Sequence, residues 1–118
     1  MERIKICGIR RAEDALLACE LGAWAIGFIF HAPSPRHVSP SEARAIVEAL
    51  RSHPRGARVL SVGVFVDRPV DEMQAIVESV GLDVVQLHGN ERPEVAEAAR
   101  VREVWKAFRV GPDFRPSD

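Results

Sequence analysis

Five short apolar runs punctuate the chain, and each of the first four is followed by a stretch with helical spacing. That alternation constrains the fold more than any other feature of the sequence. "RIKIC" (3–7) precedes "RRAEDALLACELGA", where Ala12, Ala15, Leu16 and Cys19 recur at i, i+3, i+4 and i+7 on one helical face and Gly22 suits the position just past a helix end. "WAIGFIF" (24–30) leads through the loop "HAPSPRHV" to a helix start with three agreeing signals: Ser39 as N-cap, Pro40 at the first helical position and Glu42 as capping-box partner. Ala43, Ile46, Val47 and Leu50 form the apolar stripe behind it. "RVLSVGVFV" (58–66) is almost continuously apolar, as a strand covered on both faces should be. Val70, Met73, Val77 and Val80 then share a helical face that ends at Gly81. A fourth strand is expected at 83–88, a short helix capped by Asn90 follows it, and a fifth strand is expected at 102–108.

A βαβαβαβαβ order implies a parallel sheet with right-handed crossovers and helices packed outside it. Five parallel strands and four helices suit either a flavodoxin-like open sheet or part of a (β/α)₈ barrel, and periodicity does not separate the two. In both folds ligands bind at the carboxyl ends of the strands, so the polar residues there are the candidates. Lys5 and Cys7 share a face of strand 1, Ser34, Arg36 and His37 follow strand 2, Gln86 and His88 share a face of strand 4, and strand 5 carries Lys106. In a closed or strongly curved sheet all of these would converge on one mouth.

Composition narrows the function classes. With 118 residues, 47% hydrophobic and 28% charged, the chain has the balance of one soluble domain. A net charge of -1 gives no electrostatic footprint for nucleic acid or an anionic membrane. No apolar run approaches the ~18–20 residues that cross a bilayer, and the N-terminus lacks signal-peptide character. Cys7 and Cys19, without paired spacing, read as reduced thiols of a cytoplasmic protein. No zinc-type spacing and no phosphate-binding glycine motif is present, so neither a metal nor a nucleotide cofactor is expected.

Each candidate carries a bland reading beside a functional one. Cys7 could be a small core residue, the commonest fate of a free cysteine. Lys5 on the same face could instead stabilise its thiolate, and Gly8 would let the backbone turn sharply beside it. The residues leave both readings open. Cys19 belongs to a helical apolar stripe and reads as core. Arg36 lies between Pro35 and His37 in a loop that Pro33 and Pro35 should hold extended, well suited to gripping a carboxylate through two hydrogen bonds. His88 could act as acid, base or donor, or simply bond to backbone. Gln86, Lys5 and Lys106 could equally satisfy one another inside a barrel.

Taken together, "KICGI" (5–9), "GFIFHAPSPRHVSP" (27–40), "VGVFVD" (62–67), "QLHGNE" (86–91) and "KAF" (106–108) resemble the phosphoribosylanthranilate isomerase family of tryptophan biosynthesis. Any one motif is weak; five in order are not. The resemblance implies a (β/α)₈ barrel and an Amadori rearrangement of a small-molecule substrate, N-(5-phosphoribosyl)anthranilate, with no cofactor and no metal. It implies Cys7 as general base, Arg36 as the grip on the anthranilate carboxylate, and Gln86 and His88 as pocket-lining, substrate-binding residues. The family's general acid, an aspartate at the end of strand 6, and its phosphate site after strands 7 and 8 have no counterparts here, and Asp118 is not assigned the acid role. Residues 1–118 are therefore expected to form a partial barrel, foremost as a truncated part of a longer enzyme, the alternatives being pairing with a separate chain that carries strands 6 to 8 and self-association as a fragment. The alternatives are a catalytically incomplete fragment that binds carboxylates or a partner, and a redox protein using Cys7.

Overall fold

The computed structural model describes residues 3–89 and 91–106. Its strands are β1 (Lys5–Cys7), β2 (Ala25–Ile29), β3 (Leu60–Phe65), β4 (Val84–Leu87) and β5 (Glu103–Lys106), and its helices are α1 (Ala12–Glu20), α2 (Pro40–Arg51), α3 (Val70–Val80) and α4 (Pro93–Ala98). The first four strands are shorter than the apolar runs that predicted them, although flanking residues such as Trp24, Phe30 and His88 still bond through their amides to the neighbouring strand. Gly56–Arg58 forms a single 3₁₀ turn before β3. Ala107 and Phe108, expected to continue the fifth strand, lie outside the described residues.

All neighbouring strands pair in parallel, in the spatial order β1-β2-β3-β4-β5. That order resolves the ambiguity left by the sequence. A flavodoxin-like sheet reverses direction at a switch point, whereas here each strand lies beside its predecessor, as in a barrel. Curvature agrees. Three strand spacings in a flat sheet would separate β2 from β5 by about 14 Å, yet the rings of Trp24 and Trp105 stack with centroids 5.4 Å apart.

The helices turn apolar stripes to the convex face. Ala43, Ile46, Val47 and Leu50 of α2 are all buried, and the capping box of Ser39 and Glu42 forms with Pro40 at the helix start. In α1 the buried face is Ala15, Ala18 and Cys19, so Leu16 gives up its expected core place to Ala18. The end of α1 is as expected: Gly22 has φ +88°, and the Ala23 amide donates to the Ala18 carbonyl at 2.9 Å. In α3, Met73, Ile76, Val77 and Val80 are buried. The short α4 begins at Pro93 with Arg92 at the N-cap, two residues later than the Asn90 cap expected; Asn90 itself lies outside the described residues.

Two apolar clusters result. The larger fills the space between the helices and the convex face, with Ile26, Phe28, Phe65, Val85 and Leu87 as its sheet side. The smaller lines the concave face with Ala25, Leu60, Val62 and Val84 beneath Trp24 and Trp105. At the amino ends of the strands, Arg51 donates to the carbonyls of Gly56 and Val59 at 2.6 and 2.7 Å and to Asp83 Oδ2 at 2.8 Å. Asp83 also accepts from the Ser61 amide at 2.9 Å, so this clip ties α2, β3 and β4 together away from the carboxyl-end mouth. Among the described residues no helix is long and apolar enough to cross a membrane.

Candidate active site

β1 delivers Cys7 to the carboxyl-end mouth with its side chain exposed, and the chain turns away at once. Gly8 makes that turn with φ +81°, and the amides of Gly8 and Ile9 both donate to the Gly27 carbonyl at 3.0 Å. The bare α-carbon of Gly8 also seats Arg36: a β-carbon there would lie 2.8 Å from Arg36 Cδ and 3.4 Å from Nη1. Arg36 of the second loop is thus packed against the residue that follows Cys7 in the chain. No carboxylate among the described residues pairs with Arg36, so its fork of donors is available.

The loop that carries Arg36 is not the extended segment its prolines led us to expect. Residues 32–36 form tight turns closed around Ser34. The Ser34 amide donates to the His31 carbonyl at 2.9 Å, the Arg36 amide donates to Ser34 Oγ at 3.2 Å, and His37 Nδ1 lies 2.9 Å from the Ser34 carbonyl. Stiffness at Arg36 therefore comes from a serine-centred turn, with the prolines as its corners. A cleft of about 540 Å³ opens beside Arg36, lined by Gly8, Arg10, Arg11, Asp14 and Glu42 as well.

Lys5 and Cys7 share the concave face over Gly27. A β-carbon at Gly27 would lie 3.1 Å from Cys7 Sγ and 3.3 Å from Lys5 Cε, so both side chains occupy space that any other residue would fill. Lys5 Nζ reaches across the concavity to donate to Gln86 Oε1 on β4, and it lies 5.8 Å from the centre of the Trp105 ring. Burial lowers the Lys5 pKa, and its electrostatic interaction with Cys7 acts in the opposite sense. His88 follows β4 on the same face as Gln86, half-buried, with its amide donating to the Phe65 carbonyl at 2.9 Å.

Lys106 does not converge with these groups. It pairs with Leu87 in the β4–β5 register, on the face opposite to Gln86 and Trp105. Its ammonium donates to the Gly89 carbonyl at 2.7 Å and to Glu91 Oε1 at 2.8 Å. The expectation of one polar mouth was right for Lys5 and Gln86 and wrong for Lys106, because strand parity sends alternate residues to opposite faces.

Glu91 is the residue that the sequence reading passed over. Its side chain is only 3% exposed, and it accepts from the Asp67 amide at 2.7 Å and the Gly89 amide at 2.9 Å besides Lys106. Burial raises its pKa, but the hydrogen bonds from Lys106 and the loop amides prevail and hold it below the ordinary carboxylate value. One carboxylate thereby ties the loops after β3 and β4 to β5. Asp67 at that junction takes a left-handed φ of 48°, and its carboxylate covers Gly89 so closely that a β-carbon there would lie 2.6 Å from Oδ1. In sequence, a lone glutamate after a glycine–asparagine pair looks like any solvated acid. Among the described residues no group of three or more His, Cys, Asp and Glu is placed to hold a metal ion.

Sequential parallel strands, curvature, and a thiol and a guanidinium gathered at their carboxyl ends define part of a (β/α)₈-barrel. Comparison with known proteins specifies which. The model of the N-(5'phosphoribosyl)anthranilate (PRA) isomerase family matches residues 4–117, and the chain belongs to that family. It is 48% identical over 110 residues to the N-(5'-phosphoribosyl)anthranilate isomerase of Geobacter metallireducens, covering 93% of this chain and 52% of that protein. The crystal structure of phosphoribosyl anthranilate isomerase from Thermus thermophilus superposes with a TM-score of 0.87 at 50% identity, over 98% of this chain and 56% of that one. A phosphoribosyl anthranilate isomerase in complex with reduced 1-(o-carboxyphenylamino)-1-deoxyribulose 5-phosphate gives 0.82 at 41% identity, over 94% of this chain and 55% of that one. The chain spans about half the length of the curated relatives it matches.

Proposed function

We propose that this chain supplies the base and the carboxylate grip of an N-(5'-phosphoribosyl)anthranilate isomerase. The observation that carries the reading is the seating of Arg36 on Gly8, directly beside Cys7. Arg36 holds the anthranilate carboxylate through paired hydrogen bonds, which places the sugar end of the substrate towards the thiol. A general acid protonates the furanose ring oxygen and opens the ring to a Schiff base between sugar C1 and the anthranilate nitrogen. Cys7, as thiolate, takes the proton from C2, and the electron pair left behind moves to the C1–N unit to give an enolamine. Tautomerisation of the enolamine yields the 1-deoxyribulose ketosamine. In the family resemblance the general acid and the phosphate site belong to strands 6 to 8, and no residue of this chain is assigned to either. His88, which follows β4, is assigned to the pocket wall, and the family resemblance implies neither a metal nor a cofactor.

The edges of the sheet support a second element of the proposal, that further strands pair with it, whether from the same polypeptide, a complementing chain or a second copy. Among the described residues β1 and β5 each have one neighbour, and Ile4, Leu17 and Leu21 are exposed along the β1 side.

Turnover of phosphoribosylanthranilate by this chain, alone and with a separately made family C-terminal half, tests the reading. Cys7→Ala in the active assembly should abolish turnover and leave binding of an anthranilate-type carboxylate intact. Near-normal turnover of that variant would overturn the base assignment. Arginine-dependent binding without turnover under any pairing would favour a carboxylate-binding module instead.

A further inference from the structure

Gln86 accepts a hydrogen bond from Lys5, and that pairing gives it work other than touching a ligand. Lys5 stands on β1 and Gln86 on β4, so the contact crosses the concavity rather than following the sheet. The stem of Lys5 and the sulfur of Cys7 lie within 3.3 Å of the same point above Gly27, which places the ammonium-bearing side chain next to the thiol. Trp105 closes Lys5 from the far side.

We propose that Lys5 is a positioning residue for Cys7, holding a fixed positive charge beside its sulfur, and that Gln86 anchors that charge while the missing side chain of Gly27 makes the space for it. The proposal rests on the reading of Cys7 as base and deepens it. A base that works as an anion is favoured by a cation held nearby, more so on a half-buried face than in water. The anchor matters because a free lysine side chain samples many rotamers and spends little time near any one atom. Burial disfavours the Lys5 ammonium, and its electrostatic interaction with Cys7 acts in the opposite sense. Other charged groups lie in the neighbourhood: Arg36 packs against Gly8, and Asp14 of α1 lines the same hollow as Cys7.

A pair of alkylating reagents tests this without substrate. The Cys7 sulfur bonds to the methylene carbon of iodoacetate or iodoacetamide and releases iodide to solution in both cases, but only iodoacetate is an anion, so the ratio of the two rates reports local positive charge. Peptide mass mapping separates Cys7 from the buried Cys19. Lys5→Met should lower the iodoacetate-to-iodoacetamide rate ratio at Cys7 by about tenfold, Lys5→Arg should restore most of it, and Gln86→Leu should give an intermediate loss. A wild-type ratio in Lys5→Met, with circular dichroism showing the fold retained, would overturn the proposal. A wild-type ratio in Gln86→Leu would overturn the anchoring role. Should Lys5→Met fail to fold, Lys5→Gln and the arginine variant carry the same comparison. Isomerase turnover plays no part in the readout, so failure here and failure of the proposed function are separate results.

Discussion

Trp24 and Trp105 stack at 5.4 Å with their planes 22° from parallel, although β3 and β4 lie between the strands they flank. Arg3 sits 5.0 Å from the centre of the Trp24 ring, and Lys5 lies 5.8 Å from that of Trp105. The indoles therefore span the concave face with a cation at each end, and they cover Ala25, Leu60, Val62 and Val84. Since the chain has two tryptophans, Trp24→Ala should remove the exciton-coupled band of paired indoles from the circular dichroism spectrum. It should also cost about 2–3 kcal/mol in chemical denaturation. An unchanged spectrum would show that the two rings do not stack in solution.

Arg36 and Gly8 should behave as one unit. Arg36→Ala is expected to weaken binding of an anthranilate-type carboxylate by about 2–3 kcal/mol, with Arg36→Lys recovering only part because an ammonium lacks the paired donors. Gly8→Ala should weaken the same binding from a distance, since its β-carbon would collide with Arg36 Cδ at a backbone position that already favours glycine. Calorimetric titration checks both; full affinity in Gly8→Ala would separate the two residues.

The Arg51 clip sits at the opposite ends of the strands and should matter to stability alone. Arg51→Met leaves Asp83 and two carbonyls short of a charged donor, a loss of about 2 kcal/mol on the usual scale for such bonds. A shift of the urea midpoint without any change in carboxylate affinity is the expected pattern. A change in affinity would mean the two ends of the sheet are coupled.

Acid should loosen the mouth before it loosens the core. The Glu91 pKa in the folded chain lies below its ordinary value of 4.5. The stability this group contributes is therefore complete above that value and is lost as the pH falls through the lower, folded one. Glu91→Gln keeps the shape but not the charge, so it should be less stable than wild type at neutral pH and should flatten the acid limb of the stability profile. Thermal melts from neutral pH down to the unfolding limit would show it, and parallel acid limbs for the two proteins would refute it.

Local chemistry is what the sequence made legible. The start of α2 depends on Ser39, Pro40 and Glu42 within four positions, and the stripe behind it needs only helical spacing, so both were readable. The order of strands was not, because periodicity says which residues share a face but not which strands are neighbours. Cys7 and Arg36 stood out by type and setting, yet the packing of Arg36 on Gly8, the residue after Cys7, depends on where the second loop folds back. That loop was misjudged because prolines advertise an extended chain, while the hydroxyl of Ser34 decides the turn. Lys106 was misplaced by a question of parity at a strand end. Glu91 was missed because burial, which gives a carboxylate its meaning, is a property of the folded loops and not of the residue.

Pairing every strand with its immediate predecessor has a consequence for growth of the sheet. Each ladder from β1–β2 to β4–β5 is completed within one βα unit of the ladder before it, so units can be laid down in the order in which a ribosome releases them. Nothing inserted later has to pry apart a pair already made. A sheet assembled in this way is extensible at its newest strand and indifferent, in its older registers, to what is added there.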